Sequence, residues 1–156
     1  MITVNIPGWG NIDIENVVLD LNGTTATDGK ISLAVKDRIN TLCQKVRVYV
    51  LTADTQGTAA TETTDTKVHL VKIPGQNSRD GKRDFLGTIN PESTVVIGNG
   101  SNDCLVLKGA ALGIAVLGEE GASVLAIREA DILVKSISDA LDLFLKPKRL
   151  IATLRE

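Results

Sequence analysis

Aromatic residues are scarce in this 156-residue chain: two phenylalanines, one tyrosine and one tryptophan, 3% in all. Few rings are available to stack on bases, no Lys/Arg block occurs, and the net charge is −2. Nucleic acid and anionic membranes are therefore excluded as expected partners. No apolar run is longer than a strand, so none is predicted to cross a bilayer. The opening MITVNIPGWG lacks the basic and apolar regions of a signal peptide, and a cytoplasmic location is expected. Cysteine is limited to Cys43 and Cys104, far apart and with no CxxC motif, which read as two reduced, buried thiols. The single histidine, His69, sits inside a strand-like run and is assigned no role.

What is present is an ordinary globular composition, 43% hydrophobic and 23% charged, at a length that fits one domain over 1–156. Short β-branched runs alternate with amphipathic stretches. ITVNI (2–6) and NIDI (11–14) flank Pro7-Gly8-Trp9-Gly10, predicting a hairpin, with Trp9 as a packing residue or an oligomer contact. Strands are predicted at 17–20, 46–52, 67–73, 93–98, 112–118 and 131–135. Helices are predicted from Ser32 to Lys45, weakly over 55–63, over 79–88, 102–110 and 119–127, and from Ser136 onward with a break at Pro147. Such alternation predicts a parallel, Rossmann-like sheet with helices on both faces, an α/β fold.

Ligands of open parallel sheets bind beyond the carboxyl ends of the strands, so the polar residues there are the candidates. VVLD ends on Asp20, VYVLT on Thr52, and TVVIG opens into Asn99, Gly100, Ser101, Asn102 and Asp103, while Lys82 lies in a helix start between the last two. Singly, each is what a cap or turn offers. Together, a carboxylate, a hydroxyl, an ammonium and an acidic loop suit the holding of a divalent cation beside a phosphoryl group. Hard oxygen ligands favour Mg²⁺, and a glycine-rich turn with a lysine neutralises phosphoryl oxygens.

DLNGT (20–24), Thr52, Lys82 and GNGSND (98–103) resemble, in order and strand-end placement, the four motifs of the haloacid dehalogenase (HAD) superfamily of phosphotransferases. GNGSNDCLVLKGAALGIAV (98–116) is similar to the corresponding region of P-type ATPases and their small soluble relatives. The resemblance covers essentially the whole chain. It implies Asp20 as the nucleophile that forms an aspartyl-phosphate. Asp20, the main-chain carbonyl of Asn22 and Asp103 would surround Mg²⁺, with the Asn99 side chain as a further ligand. Thr52, Thr24 and the amides near Gly23 and Ala53 would hold phosphoryl oxygens. Lys82 would offset charge, and Asn102 would tie the acidic loop in place.

Two positions depart from the family pattern. Phosphatases of the family usually carry an acid where this chain has Asn22, and that acid protonates the leaving oxygen and then activates water. An amide does neither, and general acid–base help is typically worth ~10²–10⁴ in rate. Asn99 likewise stands where a metal-binding acid is common. Only 25–30 fill one cap insertion point, and 53–81 are consumed by a helix and a strand, so no cap domain is expected. TATDGK (25–30) resembles the flap of capless sugar-acid phosphatases that act as tetramers, which makes a homo-oligomer, tetramer or dimer, an expectation. The function expected is an Mg²⁺-dependent phosphohydrolase or phosphotransferase acting on activated phosphates, a phosphorylated small molecule or a phosphoprotein. The alternative is a weakly active or inactive metal- or phosphate-binding module. Asp28 and Asp54 are the nearby acids that could stand in for the one missing at Asn22.

Overall fold

The structure is a computed structural model that describes residues 1–53 and 57–156. Asp54 therefore lies outside the described residues. The chain opens with an antiparallel hairpin, β1 (Ile2–Ile6) and β2 (Gly10–Ile14), in register Ile2↔Ile14 and Val4↔Ile12. Its alternating residues Ile2, Val4, Ile6, Ile12 and Ile14 point into the core, as the period of two requires. Trp9 at the reversal is half-buried and packs against the same core.

Six strands then form one parallel sheet: β3 (Asn16–Asp20), β4 (Arg47–Thr52), β5 (His69–Lys72), β6 (Thr94–Gly98), β7 (Leu112–Val116) and β8 (Ile132–Val134). Their spatial order is β5-β4-β3-β6-β7-β8. The chain steps outward from β3 to β5, then returns to build the other half from β6. The order thus reverses between β3 and β6, and a crevice opens beyond the carboxyl ends of that pair. Because β3, β6 and β7 are covered on both faces, they read as continuous apolar runs.

One face packs Val17, Leu19, Ile97 and Ile114 against α1 (Leu33–Cys43), α6 (Ile137–Leu145) and α7 (Pro147–Leu154), with the hairpin. The opposite face packs Val18, Leu51 and Val96 against α3 (Ser78–Thr88), α4 (Cys104–Gly109) and α5 (Val124–Glu129). Each fully buried side chain of this kind stabilises by ~1.5–3 kcal/mol relative to exposure. The short α2 (Thr58–Thr63) precedes β5. No cap domain interrupts the described residues: a turn over 27–30 fills the first insertion point, and α2 and β5 fill the second. Among the described residues no helix is long and apolar enough to cross a membrane.

Ser32 caps α1 by accepting from the Val35 amide, and Pro147 starts α7 after the break from α6, as the sequence signals indicate. Three expectations are corrected. The helix expected over 119–127 begins only at Val124, because Gly118 (φ 48) and Gly121 (φ 79) hold a left-handed turn and Ser123 provides the cap. The helix expected over 102–110 is split into a 3₁₀ turn, Ser101–Asp103, and α4, because the Asp103 carboxylate folds back on the Gly100 amide. Cys104 is buried, but Cys43, at the end of α1, is only partly so.

Candidate active site

The crevice collects the strand ends. Asp20, the last residue of β3, has a side chain 13% exposed, and each of its oxygens is engaged. Lys82 Nζ donates to Oδ1 at 2.7 Å, and Thr24 Oγ1 lies 3.0 Å from Oδ2. The Thr25 hydroxyl donates to the Asp20 main-chain carbonyl at 2.7 Å, which fixes the turn leaving the strand. Lys82 is 4% exposed and reaches the crevice from α3. That helix lies close to the sheet because Gly81 has no Cβ; one would meet Ile73 Cγ2 at 2.7 Å.

Lys82 also donates to Asp103 Oδ1 at 2.7 Å, so one buried ammonium bridges two carboxylates. Asp103 is 1% exposed and accepts from the amides of Asn99 (3.1 Å) and Gly100 (2.9 Å) through Oδ2. A Cβ on Gly98 would stand 2.6 Å from the Asp103 carboxyl carbon, so glycine ends β6 where this acid turns inward. Burial pushes the Asp20 carboxyl up to about 6, with the Asp103 charge adding to it and Lys82 and Thr24 opposing. Burial acts to lower the Lys82 ammonium, but the two carboxylates outweigh it and leave it above its usual value.

A cavity of about 260 Å³ stands over this cluster, lined by Asp20, Asn22, Leu51, Thr52, Ala53, Lys82, Asn99, Gly100 and Asn102. Asn22 is exposed at its edge, while Thr52 is 4% exposed at the end of β4. Asn102 donates to Ser78 Oγ at 3.2 Å, joining the loop after β6 to the start of α3. Gly23 and Thr24 line instead a neighbouring cavity of about 420 Å³, with Thr27, Glu119, Lys135 and Ser136. Asp103 lies behind the first cavity, its oxygens already bonded. Asp28 is outside it, exposed at a turn (φ 51) where its amide donates to Glu120 Oε2 at 3.2 Å. His69 is exposed and stacks on Tyr49 at 5.3 Å.

The sequence reading missed the loop at 118–123. Ser123 N donates to the Asn99 carbonyl at 2.7 Å, Ser101 and Ser123 hydroxyls meet at 2.6 Å, and Asn99 Nδ2 donates to the Gly121 carbonyl at 3.1 Å. The glycine pair Gly118 and Gly121 with a following serine was the available signal for a turn and cap.

No family model matches the chain. It is 54% identical over 68 residues to the uncharacterized protein MJ0073 of Methanocaldococcus jannaschii, a match covering 43% of this chain and 73% of that protein. A second uncharacterized protein of that organism, MJ0072, is 54% identical over 39 residues, 25% of this chain and 89% of its own length. The chain belongs to the same family as MJ0073.

Among solved structures, the 3-deoxy-D-manno-octulosonate 8-phosphate phosphatase of Moraxella catarrhalis, in complex with magnesium, phosphate and KDO, superposes with a TM-score of 0.73 at 14% identity, covering 91% of this chain and 94% of that one. The cobalt-bound enzyme of Haemophilus influenzae gives 0.72 at 16% identity, covering 92% and 94%. A protein of Legionella pneumophila assigned to subfamily III A of the HAD superfamily gives 0.67 at 17% identity, covering 90% and 86%. The chain thus has the fold of these solved structures, a parallel sheet between two layers of helices, with no cap domain among the described residues.

Proposed function

We propose that the chain, as a single HAD-type core domain, is an Mg²⁺-dependent phosphohydrolase or phosphotransferase that works through an aspartyl-phosphate on Asp20. The observation that carries this reading is the Asp20 carboxylate, held at the floor of a cavity by Lys82 at 2.7 Å and Thr24 at 3.0 Å. A carboxylate fixed this way is oriented for in-line attack on phosphorus before the substrate arrives. The magnesium and phosphate in the Moraxella catarrhalis phosphatase, which shares the fold, support the same chemistry.

The donor set suits Mg²⁺, which takes few protein carboxylates and completes its shell with water and phosphate oxygens. Among the described residues no cluster of three His, Cys, Asp or Glu side chains is gathered, so the site is a lean one. Asp20 and the main-chain carbonyl of Asn22 are the groups that would hold the ion; it supplies charge neutralisation for the phosphoryl oxygens. Lys82 offsets part of the repulsion between Asp20 and Asp103 and favours the ionised form of Asp20. Thr52 and Ala53 line the cavity that the phosphoryl group would fill.

Asn22 lines the cavity at its exposed edge, and an amide has no acidic proton to give a leaving oxygen. Among the described residues lining the cavity, the ionisable side chains are Asp20 and Lys82, and they are tied to each other. The substrates favoured are therefore those whose leaving group departs unaided, such as acyl phosphates or nucleoside triphosphates, rather than sugar monophosphates. Intact-mass measurement after incubation with Mg²⁺ and acetyl phosphate tests the proposal. A phosphate adduct is expected, absent from Asp20→Asn; neither adduct nor released phosphate would reject it.

A second reading, a metal- or phosphate-binding module with negligible turnover, is favoured by one observation: among the described residues lining the cavity, Asp20 is the one acid. Asn22→Asp separates the two, since a working scaffold gains turnover and a binding module stays silent. Assembly of several copies, with Leu117, Val124, Leu125 and Leu133 exposed, belongs to either reading and is tested by light scattering.

A further inference from the structure

Asn99 occupies a position where a metal-binding acid would be expected, yet each of its polar groups lies within hydrogen-bond distance of a partner inside the fold. Its amide N–H donates to Asp103 Oδ2 at 3.1 Å, and its carbonyl accepts from Ser123 N at 2.7 Å. Its side-chain Oδ1 lies 2.9 Å from Thr24 Oγ1, and Nδ2 donates to the Gly121 carbonyl at 3.1 Å. The side chain also lies against Gly23, where a Cβ would stand 2.6 Å from Nδ2. Turning the amide over would set its oxygen against the Gly121 carbonyl, so chemistry fixes the orientation. These partners come from separate loops: Gly23 and Thr24 follow β3, Asn99 and Asp103 follow β6, and Gly121 and Ser123 follow β7.

We propose that Asn99 is a positioning residue that fastens the loops after β3, β6 and β7 to one another, and orients Asp20 through the Thr24 hydroxyl, whose one hydrogen the two side chains share, by hydrogen bonds within the fold rather than through a bound cation. Only an amide of this length does this. An aspartate lacks the donor for Gly121 and would press a carboxylate on the carbonyl; an alanine reaches neither partner; both leave a partly buried carbonyl unpaired. The loops of the site are thereby assembled before any metal arrives. Glu120 extends the same framework to the turn at 27–30 by accepting from the Asp28 amide. The inference rests on the function proposed above only in its last step, the loading of Asp20.

Hydrogen–deuterium exchange of the whole protein in chelator, read over 21–26 and 118–123, is the test. In Asn99→Ala both segments are expected to exchange roughly three- to tenfold faster than wild type, the equivalent of one lost hydrogen bond. Asn99→Asp is expected to exchange faster in chelator as well and to recover when Mg²⁺ is added. Unchanged exchange in either variant in chelator, with loss of the Mg²⁺-induced rise in melting temperature in Asn99→Ala, would make Asn99 a metal ligand and overturn the proposal. At saturating Mg²⁺ the rate of Asp20 loading from acetyl phosphate should fall in Asn99→Ala while the half-saturating concentration holds. Loosened loops with an unchanged loading rate would reject the positioning role. A wild-type protein that never loads refutes the proposed function, and the exchange measurements still decide the role of Asn99.

Discussion

Replacing Asp20 by asparagine should make the protein more stable at neutral pH while abolishing its chemistry. The Asp20 carboxyl is raised from 3.8 to about 6, first by burial, then by Asp103, net of what Lys82 and Thr24 restore. Two pH units at ~1.4 kcal/mol each amount to ~3 kcal/mol of strain in the ionised site. Because the folded value lies above the unfolded one, this group's stability contribution is fully present below pH 3.8 and is lost as pH rises through about 6. Asparagine does not titrate. Its oxygen can accept from Lys82, and its nitrogen can donate to Thr24, whose single hydrogen is then free for Asn99. Urea unfolding in chelator should find Asp20→Asn more stable by ~1–3 kcal/mol at pH 7.5, with the gap shrinking to about a third at pH 4.5. Chelator matters, since a divalent ion favours the carboxylate and works against the effect. A variant no more stable than wild type at pH 7.5, or a gap independent of pH, would refute the reasoning.

Asn22→Asp should raise steady-state turnover of acetyl phosphate by ~10²–10⁴, with the adduct seen by mass falling as water discharges it; an unchanged rate favours the binding module. Lys82→Met removes the cation between Asp20 and Asp103, and breaking a buried pair in this way costs ~3–5 kcal/mol. Chemical denaturation reads that loss directly, and a variant as stable as wild type would mean that the two acids are neutral or solvated. Gly23→Ala demands a left-handed φ of 77° and sets Cβ 2.6 Å from Asn99 Nδ2. It should cost ~1–3 kcal/mol in the same assay, and a neutral effect would show that the loop gives way.

The sheet was legible because a parallel strand covered on both faces writes itself as an apolar, β-branched run. NVVLD, TVVIG and LGIAV announce both their strands and the ends at which a ligand sits. The contact between Lys82 and Asp20 was not legible from spacing. It depends on how closely α3 lies on the sheet, and Gly81 against Ile73 sets that. Nor does a carboxylate declare which way it faces. Asp103 turns inward because Gly98 leaves it room, and there it is bonded to Lys82 and two amides. Glu119 and Glu120 suit a helix start, and that composition outweighed the glycines on either side, which signal the left-handed turn the backbone makes there. The family resemblance named the motif positions, and the packing around them had to come from coordinates.

The two amides at Asn22 and Asn99 depart from the same pattern but carry different loads. Asn22 is exposed at the cavity edge, so an acid there would keep its water and add little strain. Asn99 is clamped on both sides of its amide, and an acid there would lose a donor and face a carbonyl. With Asp20, Asp103 and Lys82 ionised the cluster carries one net negative charge, and restoring both acids would take it to three with no further cation among the described residues that line the cavity. The double variant Asn22→Asp, Asn99→Asp should therefore need Mg²⁺ for its stability as well as for its turnover. Its melting temperature should fall below that of wild type in chelator and recover most of the loss with Mg²⁺, whereas Asn22→Asp alone stays close to wild type in both. If the single and double variants lose stability equally in chelator, the charge at Asn22 rather than the broken clamp at Asn99 is what the fold resists.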